Sequence, residues 1–150
     1  MVWGCFSWNG LGPLIIIDGN LNANKYRQLL AEVKRTLEQL YGDLDGLLFQ
    51  QDNAPCHTAK KVMRWFEEEK VRRLPWPAQS PDLNPIEPLW DELERRVRAR
   101  NPMPANLSEL KVALQEEWVK IPQPVYQKLI ESMWNRVDEV IRAKGNPTRY

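Results

Sequence analysis

The sequence has few of the residues that build disulfide frameworks, zinc sites or membrane spans. Its only cysteines are Cys5 and Cys56, too few for a small secreted scaffold and consistent with a reducing compartment. The single histidine, His57, lies beside Cys56, and with the remote Cys5 this pair lacks a recognisable zinc-ligand spacing, so we reject a structural zinc site. The longest aliphatic run, residues 14–17, is far shorter than the roughly 20 apolar residues that cross a bilayer, and no signal peptide is visible. No membrane partner is therefore expected.

The chain also lacks an excess of charge of either sign. Its net charge of +1 argues neither for nor against nucleic acid, since a binding face needs a local excess of charge. A hydrophobic content of 43% and a charged content of 27% are typical of a soluble globular protein. The 150 residues are enough for one domain, and no internal repeat divides them.

The first half of the chain alternates β-forming and helical patterns. Residues 2–8 and 13–17 are rich in β-formers on either side of Asn9-Gly10, which predicts a hairpin. Asn22 can cap a helix that runs to about Tyr41 and whose apolar residues follow the 3.6 period. Those residues are Tyr26, Leu29, Leu30, Val33, Leu37 and Leu40.

A second strand-and-helix unit follows. Residues 46–51 predict a buried strand, and residues 71–74 predict a last short strand. Between them a short helix begins at Thr58, with three apolar residues facing inward, namely Val62, Met63 and Phe66.

The second half is mostly helical. Prolines make residues 76–85 a stiff loop, after which Asn84 is a suitable cap and Pro85 a suitable first residue for a helix to about Arg100. That helix buries Ile86, Leu89, Trp90, Leu93 and Val97. Two more helices are predicted at residues 107–120, capped by Asn106 with Glu109, and at 124–144, closed by Gly145. These patterns together predict an α/β sheet covered by helices.

Two acids lie where elements end or begin. Asp52 follows the buried strand, and Glu87 begins the helix after the proline loop, with 34 residues between them. Carboxylates on two rigid elements suit Mg²⁺ or Mn²⁺, which prefer oxygen ligands. The residue pattern alone leaves two alternatives open: Asp52 as a polar strand end, and Glu87 as the third residue of a capping box with Asn84.

Other polar residues have plainer interpretations. Asp91 and Glu94 share the helical face of Glu87, and we interpret them as a solvated acidic stripe and not as ligands. His57 is expected to order the turn after Asp52 or to contact DNA. The basic residues that could contact phosphates are Lys60, Lys61, Arg64, Arg72, Arg73, Arg95, Arg96, Arg98 and Arg100. Six tryptophans are expected in the core, namely Trp3, Trp8, Trp65, Trp90, Trp118 and Trp134, whereas Trp76 in the proline loop is a candidate for base stacking.

The sequence motifs around the two acids resemble those of one known family. QQDNAPCHTA at residues 50–59 and WPAQSPDLNPIEPLWDELERR at 76–96 are similar to the catalytic domain of the Tc1/mariner transposases, as are residues 2–26 and 132–150. The resemblance implies an RNase H-like fold with five strands in the order 3-2-1-4-5. It places the family's second acid on Asp52 and its last acid on Glu87.

The family's first acid has no counterpart in this sequence. In the family it lies on strand 1, which precedes the segment similar to residues 2–8, so we expect the central strand and the N-terminal DNA-binding region to be missing. The family counterpart of Asp18 is a turn residue, and Asp18 is not expected to replace the absent acid.

The function that the resemblance implies is metal-dependent DNA cleavage and strand transfer in cut-and-paste transposition. The resemblance also implies that Asp52 and Glu87 bind Mg²⁺ or Mn²⁺. It further implies transposon-end DNA as the partner, a homo-oligomer and a nuclear location. We interpret residues 1–150 as part of a DDE catalytic domain, inactive alone because its first aspartate is absent, and whether the chain is an enzyme stays open. The alternative is a non-catalytic domesticated fragment or gene remnant that binds DNA or a protein partner.

Overall fold

The structure, a computed structural model, describes residues 1–42, 44, 46–146 and 148. Its elements in chain order are β1 (Val2–Trp3), β2 (Ile15–Ile16), α1 (Ala23–Tyr41), β3 (Leu48–Phe49), α2 (Lys60–Glu68), β4 (Arg72–Arg73), a 3₁₀ turn (Pro81–Leu83), α3 (Ile86–Arg98), α4 (Leu107–Val119), α5 (Gln123–Glu131) and α6 (Met133–Arg142). The chain forms two compact units. The first contains residues 1–3 and 15–79, and the second contains residues 4–14 and 80–150.

The predicted hairpin is present. In the first unit β1 pairs antiparallel with β2, with Val2 opposite Ile16 and Trp3 opposite Ile15. In the second unit a single bridge between Phe6 and Leu11 precedes the turn, which is closed by a hydrogen bond from Ser7 N–H to Gly10 O.

The two later strands also form, in parallel pairing. Leu48 lies opposite Arg72, and Phe49 lies opposite Arg73. The expectation that the first of these strands is buried is wrong, because the Leu48 side chain is 48% exposed. Within the described residues β3 pairs with β4 alone, so one edge and part of one face of the strand have no neighbour. The observed pairs, β1 with β2 and β3 with β4, are those that the order 3-2-1-4-5 leaves when strand 1 is removed.

The core of the first unit lies between α1 and α2. The Asn22 side chain caps α1 by accepting hydrogen bonds from the Asn24 and Lys25 N–H groups, as the sequence predicts. Apolar residues of α1 and α2 are buried, namely Tyr26, Leu29, Leu30, Val33, Val62, Trp65 and Phe66. Leu40 is exposed, contrary to the helical pattern, and α2 begins at Lys60, two residues later than predicted.

The core of the second unit is built on α3, which packs against α4 and α5. Leu89, Leu93 and Val97 of α3 are buried, as predicted. The indole rings of Trp90 and Trp118 stack with centroids 5.4 Å apart, and the buried Trp118 donates its Nε1–H to Gly12 O at 2.9 Å. The Asn106 side chain caps α4 and accepts from the Glu109 N–H, which confirms the predicted cap.

The prediction of a single helix at residues 124–144 is wrong, because the structure has two helices there. The segment is divided at Ser132, whose hydroxyl donates to Leu129 O at 2.6 Å and competes with the helical backbone pattern. In the second part, α6, Val137 is 39% exposed and Ile141 is 68% exposed. Among the described residues, no helix is both long and apolar enough to cross a membrane.

Candidate active site

Asp52 lies three residues after the end of β3, in a turn that holds one of its two carboxylate oxygens. Oδ1 accepts a hydrogen bond from the Ala54 N–H at 3.0 Å and lies 2.5 Å from Nδ1 of His57. Oδ2 makes no hydrogen bond to any residue that the structure describes, and the side chain is 53% exposed. One oxygen is thus oriented by the chain while the other faces solvent and is available to a ligand.

His57 orders the turn, as one of the two sequence hypotheses states. Its N–H donates to Ala54 O at 2.8 Å, and its ring packs against Tyr26 with centroids 4.2 Å apart. Its own carbonyl accepts from Gln51 Nε2 at 3.2 Å. The other hypothesis for His57, contact with DNA, stays a prediction.

Sequence reasoning did not identify the residues behind this turn. The Tyr26 hydroxyl donates to Gln51 Oε1 at 2.6 Å, which connects α1 to the turn, and Asn53 Nδ2 donates to Trp76 O at 2.8 Å. The helical period indicates only that Tyr26 is buried, and only the position of Asn53 beside the acid could have suggested a role. We call Tyr26, Gln51 and His57 the Asp52 network.

Glu87 occupies the first turn of α3 in the second unit and is exposed. Its N–H donates to Asn84 O at 3.3 Å, and the Asn84 side chain accepts from the Ile86 N–H at 3.3 Å. The helix begins at Ile86, one residue later than predicted. A carboxylate there is favoured by the helix dipole whether or not it binds a metal, so the capping and ligand interpretations both remain compatible with this geometry.

The other residues of α3 behave as a solvated helix face. Glu94 forms an ion pair with Arg98, and Asp91 is exposed one turn after Glu87. Several of the basic residues proposed to contact phosphate are already paired with acids, since Arg95 and Arg96 both bind Glu92. Others are paired elsewhere: Arg100 binds Glu116 and Glu117 of α4, and Lys61 binds Asn24.

Of the six tryptophans expected in the core, two are buried, two are half-buried and two are exposed. Trp65 and Trp118 are buried, whereas Trp8 and Trp134 are exposed, the latter by 82%. The expectation that Trp134 belongs to the core is wrong because α6 turns Arg136 inward, and residues two apart on a helix point to different sides. Trp76 is half-buried, and its proposed stacking on bases stays a prediction.

Both acids carry the kind of ligand atom that a divalent cation requires. Asp52 offers the hard oxygen that Mg²⁺ and Mn²⁺ prefer, and Glu87 offers a second from the other unit. Within the described residues no group of three or more histidine, cysteine, aspartate or glutamate side chains comes together. Cys5 is not a suitable ligand because burial raises the pKa of its thiol to about 12. Each acid by itself offers the kind of oxygen that such a cation binds, and a complete ligand set would need further groups.

Comparisons with known proteins show the family to which the chain belongs. A family model described as DDE superfamily endonuclease matches residues 2–111. The chain is 44% identical to the transposable element Tcb1 transposase of Caenorhabditis briggsae over 151 residues, covering 100% of this chain and 54% of that protein. It is also 44% identical to the Tc1 transposase of Caenorhabditis elegans over 153 residues, with the same coverage. The chain spans about half the length of the curated relatives it matches.

Solved structures share the fold. The Mos1 transposase catalytic domain with raltegravir and Mg is similar with a TM-score of 0.86 at 23% identity, over 99% of this chain and 75% of that one. The Mos1 mariner paired end complex with Mn is similar with a TM-score of 0.87 at 24% identity, over 99% of this chain and 44% of that one. The likeness confirms the expected mixed α/β, RNase H-like fold with a helix-rich second half.

Proposed function

Given that this chain belongs to the DDE superfamily endonucleases and is a catalytic-domain segment of Tc1/mariner type, we propose that it acts in metal-dependent cleavage and joining of transposon-end DNA. The observation that carries this proposal is the hydrogen bonding of the Asp52 carboxylate. This carboxylate lies in the turn that follows β3, with Oδ1 oriented by the turn and Oδ2 unbonded among the described residues. That is the arrangement a metal ligand requires, at the position where the resemblance puts the family's second acid.

In this proposal Asp52 and Glu87 hold Mg²⁺ or Mn²⁺. When bound, such ions activate the attacking water or 3′-hydroxyl and stabilise the leaving oxygen. The chain's own contribution is to present the two carboxylates. The Asp52 network holds the first in its turn, and the N-terminus of α3 presents the second. Structures of Mos1, which shares the fold, have been solved with Mg and with Mn, which supports the choice of cation.

The partner is proposed to be transposon-end DNA, bound by a homo-oligomer in the nucleus. The Mos1 paired-end complexes with transposon ends support this partner. Lys60 and Arg64 of α2 are exposed, lie on one helical face four residues apart, and form no ion pair within the described residues. Because α2 begins eight residues after Asp52, these two cations are the basic residues we propose to contact phosphate near the acid.

The test extends the chain with the segment that precedes the matching region in the Tc1 relative, so that a complete acid set is present. We expect Mn²⁺-dependent nicking of a plasmid that carries the relative's transposon ends. Asp52→Asn and Glu87→Gln should each abolish nicking, whereas Asp91→Asn, a matched change one turn along α3, should retain it. If the extended protein folds and binds DNA but does not cut, Asp52 and Glu87 are not working ligands.

A non-catalytic DNA-binding fragment is the second candidate. It is favoured by the observation that the described residues bring no three metal-binding side chains together. For this function, DNA binding should persist in EDTA and in Asp52→Ala, and it should fall in Lys60→Glu and Arg64→Glu. Loss of DNA binding on chelation would exclude it.

A further inference from the structure

A buried arginine lies in α6, far along the chain from both acids. The Arg136 side chain belongs to a residue only 5% exposed, in a helix whose apolar side chains at Trp134 and Ile141 are open to solvent. Its Nε donates to Ser132 Oγ at 2.9 Å and its Nη1 donates to Asp82 O at 2.8 Å. A guanidinium loses much of its hydration when buried, so its hydrogen bonds must replace that hydration in a fixed geometry. Arg136 therefore ties α6 to the Pro81–Leu83 turn.

Asp82, the middle residue of that turn, also forms a hydrogen bond with a residue near the C-terminus. Its Oδ2 accepts a hydrogen bond from the Thr148 hydroxyl at 3.0 Å. The backbone of Asp82 is thus bound by a helix and its side chain by the segment that follows the helix. We call Asp82, Arg136 and Thr148 the Asp82 clamp.

The turn that the clamp holds leads directly to Glu87. The Asn84 N–H donates to Pro81 O at 2.9 Å, and the Glu87 N–H donates to Asn84 O at 3.3 Å. Leu83 is buried between these two bonds, so the turn cannot shift without disturbing the core of its own unit. Only Asn84 and Pro85 separate the clamped turn from α3, so any movement of the turn changes where that helix starts.

We propose that Arg136 and Thr148 are positioning residues that, through Asp82, set the place at which α3 begins and Glu87 is presented. The proposal rests on the proposed role of Glu87 as a metal ligand. Both residues lie outside residues 2–111, the part that the family model matches, so the positioning of the last acid depends on a segment beyond it.

Four variants of the chain test the clamp. Arg136→Met removes both hydrogen bonds, Arg136→Lys keeps the charge but lacks the planar fork that reaches two acceptors, and Thr148→Val removes the bond to Asp82 Oδ2. Arg142→Met is the matched control, because Arg142 lies on the same helix, is exposed, and pairs only with Glu139 among the described residues. If Arg136→Met does not fold, Arg136→Lys and Thr148→Val decide the question.

The first readout is amide hydrogen exchange. We expect the Leu83, Asn84 and Glu87 amides to exchange about tenfold faster in Arg136→Lys and Thr148→Val than in the unaltered chain. The amides of α1, in the other unit, should not change, and Arg142→Met should match the unaltered chain throughout. Unchanged exchange at the turn in the folded variants would overturn the proposal, as would a uniform increase over the whole chain.

The second readout separates positioning from support of the fold. Titration of the labelled chain with Mn²⁺ should broaden the amide signals near Glu87 in the unaltered chain and in Arg142→Met. The same broadening should need several-fold more Mn²⁺ in Arg136→Lys and Thr148→Val, while the signals near Asp52 broaden as before. Equal broadening near Glu87 in all variants would overturn the positioning role.

The two readouts also distinguish failure of this inference from failure of the proposed function. If Mn²⁺ broadens no signal near Glu87 even in the unaltered chain, Glu87 is not a metal ligand, and its positioning role falls with the proposed function. The exchange rates at the Pro81–Leu83 turn would still report whether the clamp itself exists.

Discussion

At the scale of single residues, the Asp52 turn shows how an exposed acid is held by buried neighbours. Asp52 itself is half exposed, but His57 packs on Tyr26, whose ring is almost fully buried. The Tyr26 hydroxyl in turn binds Gln51, the residue before the acid. The orientation of the carboxylate therefore depends on Tyr26 of α1, which lies more than twenty residues earlier in the chain.

Tyr26→Phe should weaken this arrangement. The change leaves Gln51 Oε1 without its donor in a half-buried position, and we expect the free energy of unfolding to fall by about 1 kcal/mol. Urea denaturation measures this loss, and faster exchange of the His57 amide would place it at the turn. Tyr126→Phe is the matched control, because the Tyr126 hydroxyl has no hydrogen bond to another described residue. Equal losses in the two variants would show that the Tyr26 hydroxyl does not support the turn.

A second prediction at the scale of single residues concerns Glu117 and the stability of the fold at acidic pH. Its hydrogen bond with Lys120 and its bond with Arg100 lower the pKa of the Glu117 carboxyl from its ordinary value of 4.5, against the opposing effect of burial. A lowered pKa in the folded state contributes stability that is fully present above the unfolded pKa. That contribution is lost as the pH falls through the folded pKa.

The stability difference between the unaltered chain and Glu117→Gln should therefore be constant near neutral pH and shrink as the pH falls below about 4.5. Denaturation curves recorded from pH 7 to pH 3 measure it. The shrinkage should be smaller when Lys120→Met is present in both proteins, since Lys120 is the principal cause of the shift. A difference that stays constant over the whole range would contradict the assignment.

At the scale of elements, the packing of residues 4–14 on the helices of their own unit depends on one glycine. A Cβ at Gly4 would lie 2.8 Å from Trp90 Cη2, 3.2 Å from Trp118 Cη2 and 3.3 Å from Leu14 Cδ1. The two indoles are stacked, and Trp118 is also held by its bond to Gly12 O, so withdrawal of either ring disturbs the stack or that bond.

Gly4→Ala should accordingly lower the free energy of unfolding by about 1–3 kcal/mol, the usual cost of overpacking a core. Chemical denaturation followed by tryptophan fluorescence measures the change. Trp90→Phe removes the nearest ring atom, so in its presence Gly4→Ala should cost clearly less. Additive losses in the double variant would show that the clash with Trp90 is not the cause.

At the scale of the whole molecule, the arrangement of strands leaves unpaired edges. Within the described residues the four strands form two separate pairs, and each pair has an edge without a neighbour. Unpaired backbone donors and acceptors at such edges favour pairing with another chain.

We expect the purified 150-residue chain to be oligomeric or poorly soluble. Size-exclusion chromatography with light scattering gives the mass of the species directly. Adding the preceding strand from the Tc1 relative should shift the protein toward a single defined species, even with alanine in place of that strand's aspartate. A monodisperse monomer that unfolds cooperatively would show that the edges are satisfied within the chain.

The same chain should not cleave or join transposon-end DNA by itself. Two carboxylates can bind a cation weakly, but the described residues supply no third metal-binding side chain beside either of them. Incubation with end-containing DNA in Mg²⁺ and in Mn²⁺ checks this. Cleavage that disappears in both Asp52→Ala and Glu87→Ala would disprove it.

The sequence by itself determined the features that depend on neighbours a few residues away. The Asn9-Gly10 turn, the caps at Asn22 and Asn106 and the helix of Leu89 and Leu93 form as predicted, since hydrogen bonds and periods within one or two turns specify them. The positions of Asp52 and Glu87 at the ends of their elements follow from the same local patterns. Their role as ligands came from the family resemblance and stays a proposal.

Only the tertiary structure decided which side chains are buried and what supports the acids. The bond from Arg136 to Asp82 joins residues 54 positions apart, and that from Tyr26 to Gln51 joins residues 25 apart. Trp134 is expected in the core from the sequence, and nothing in the sequence pattern singles out Arg136, whereas the structure exposes Trp134 and buries Arg136. Burial depends on which distant segment arrives to cover a face, and hydrogen bonds across such distances leave no pattern within either segment.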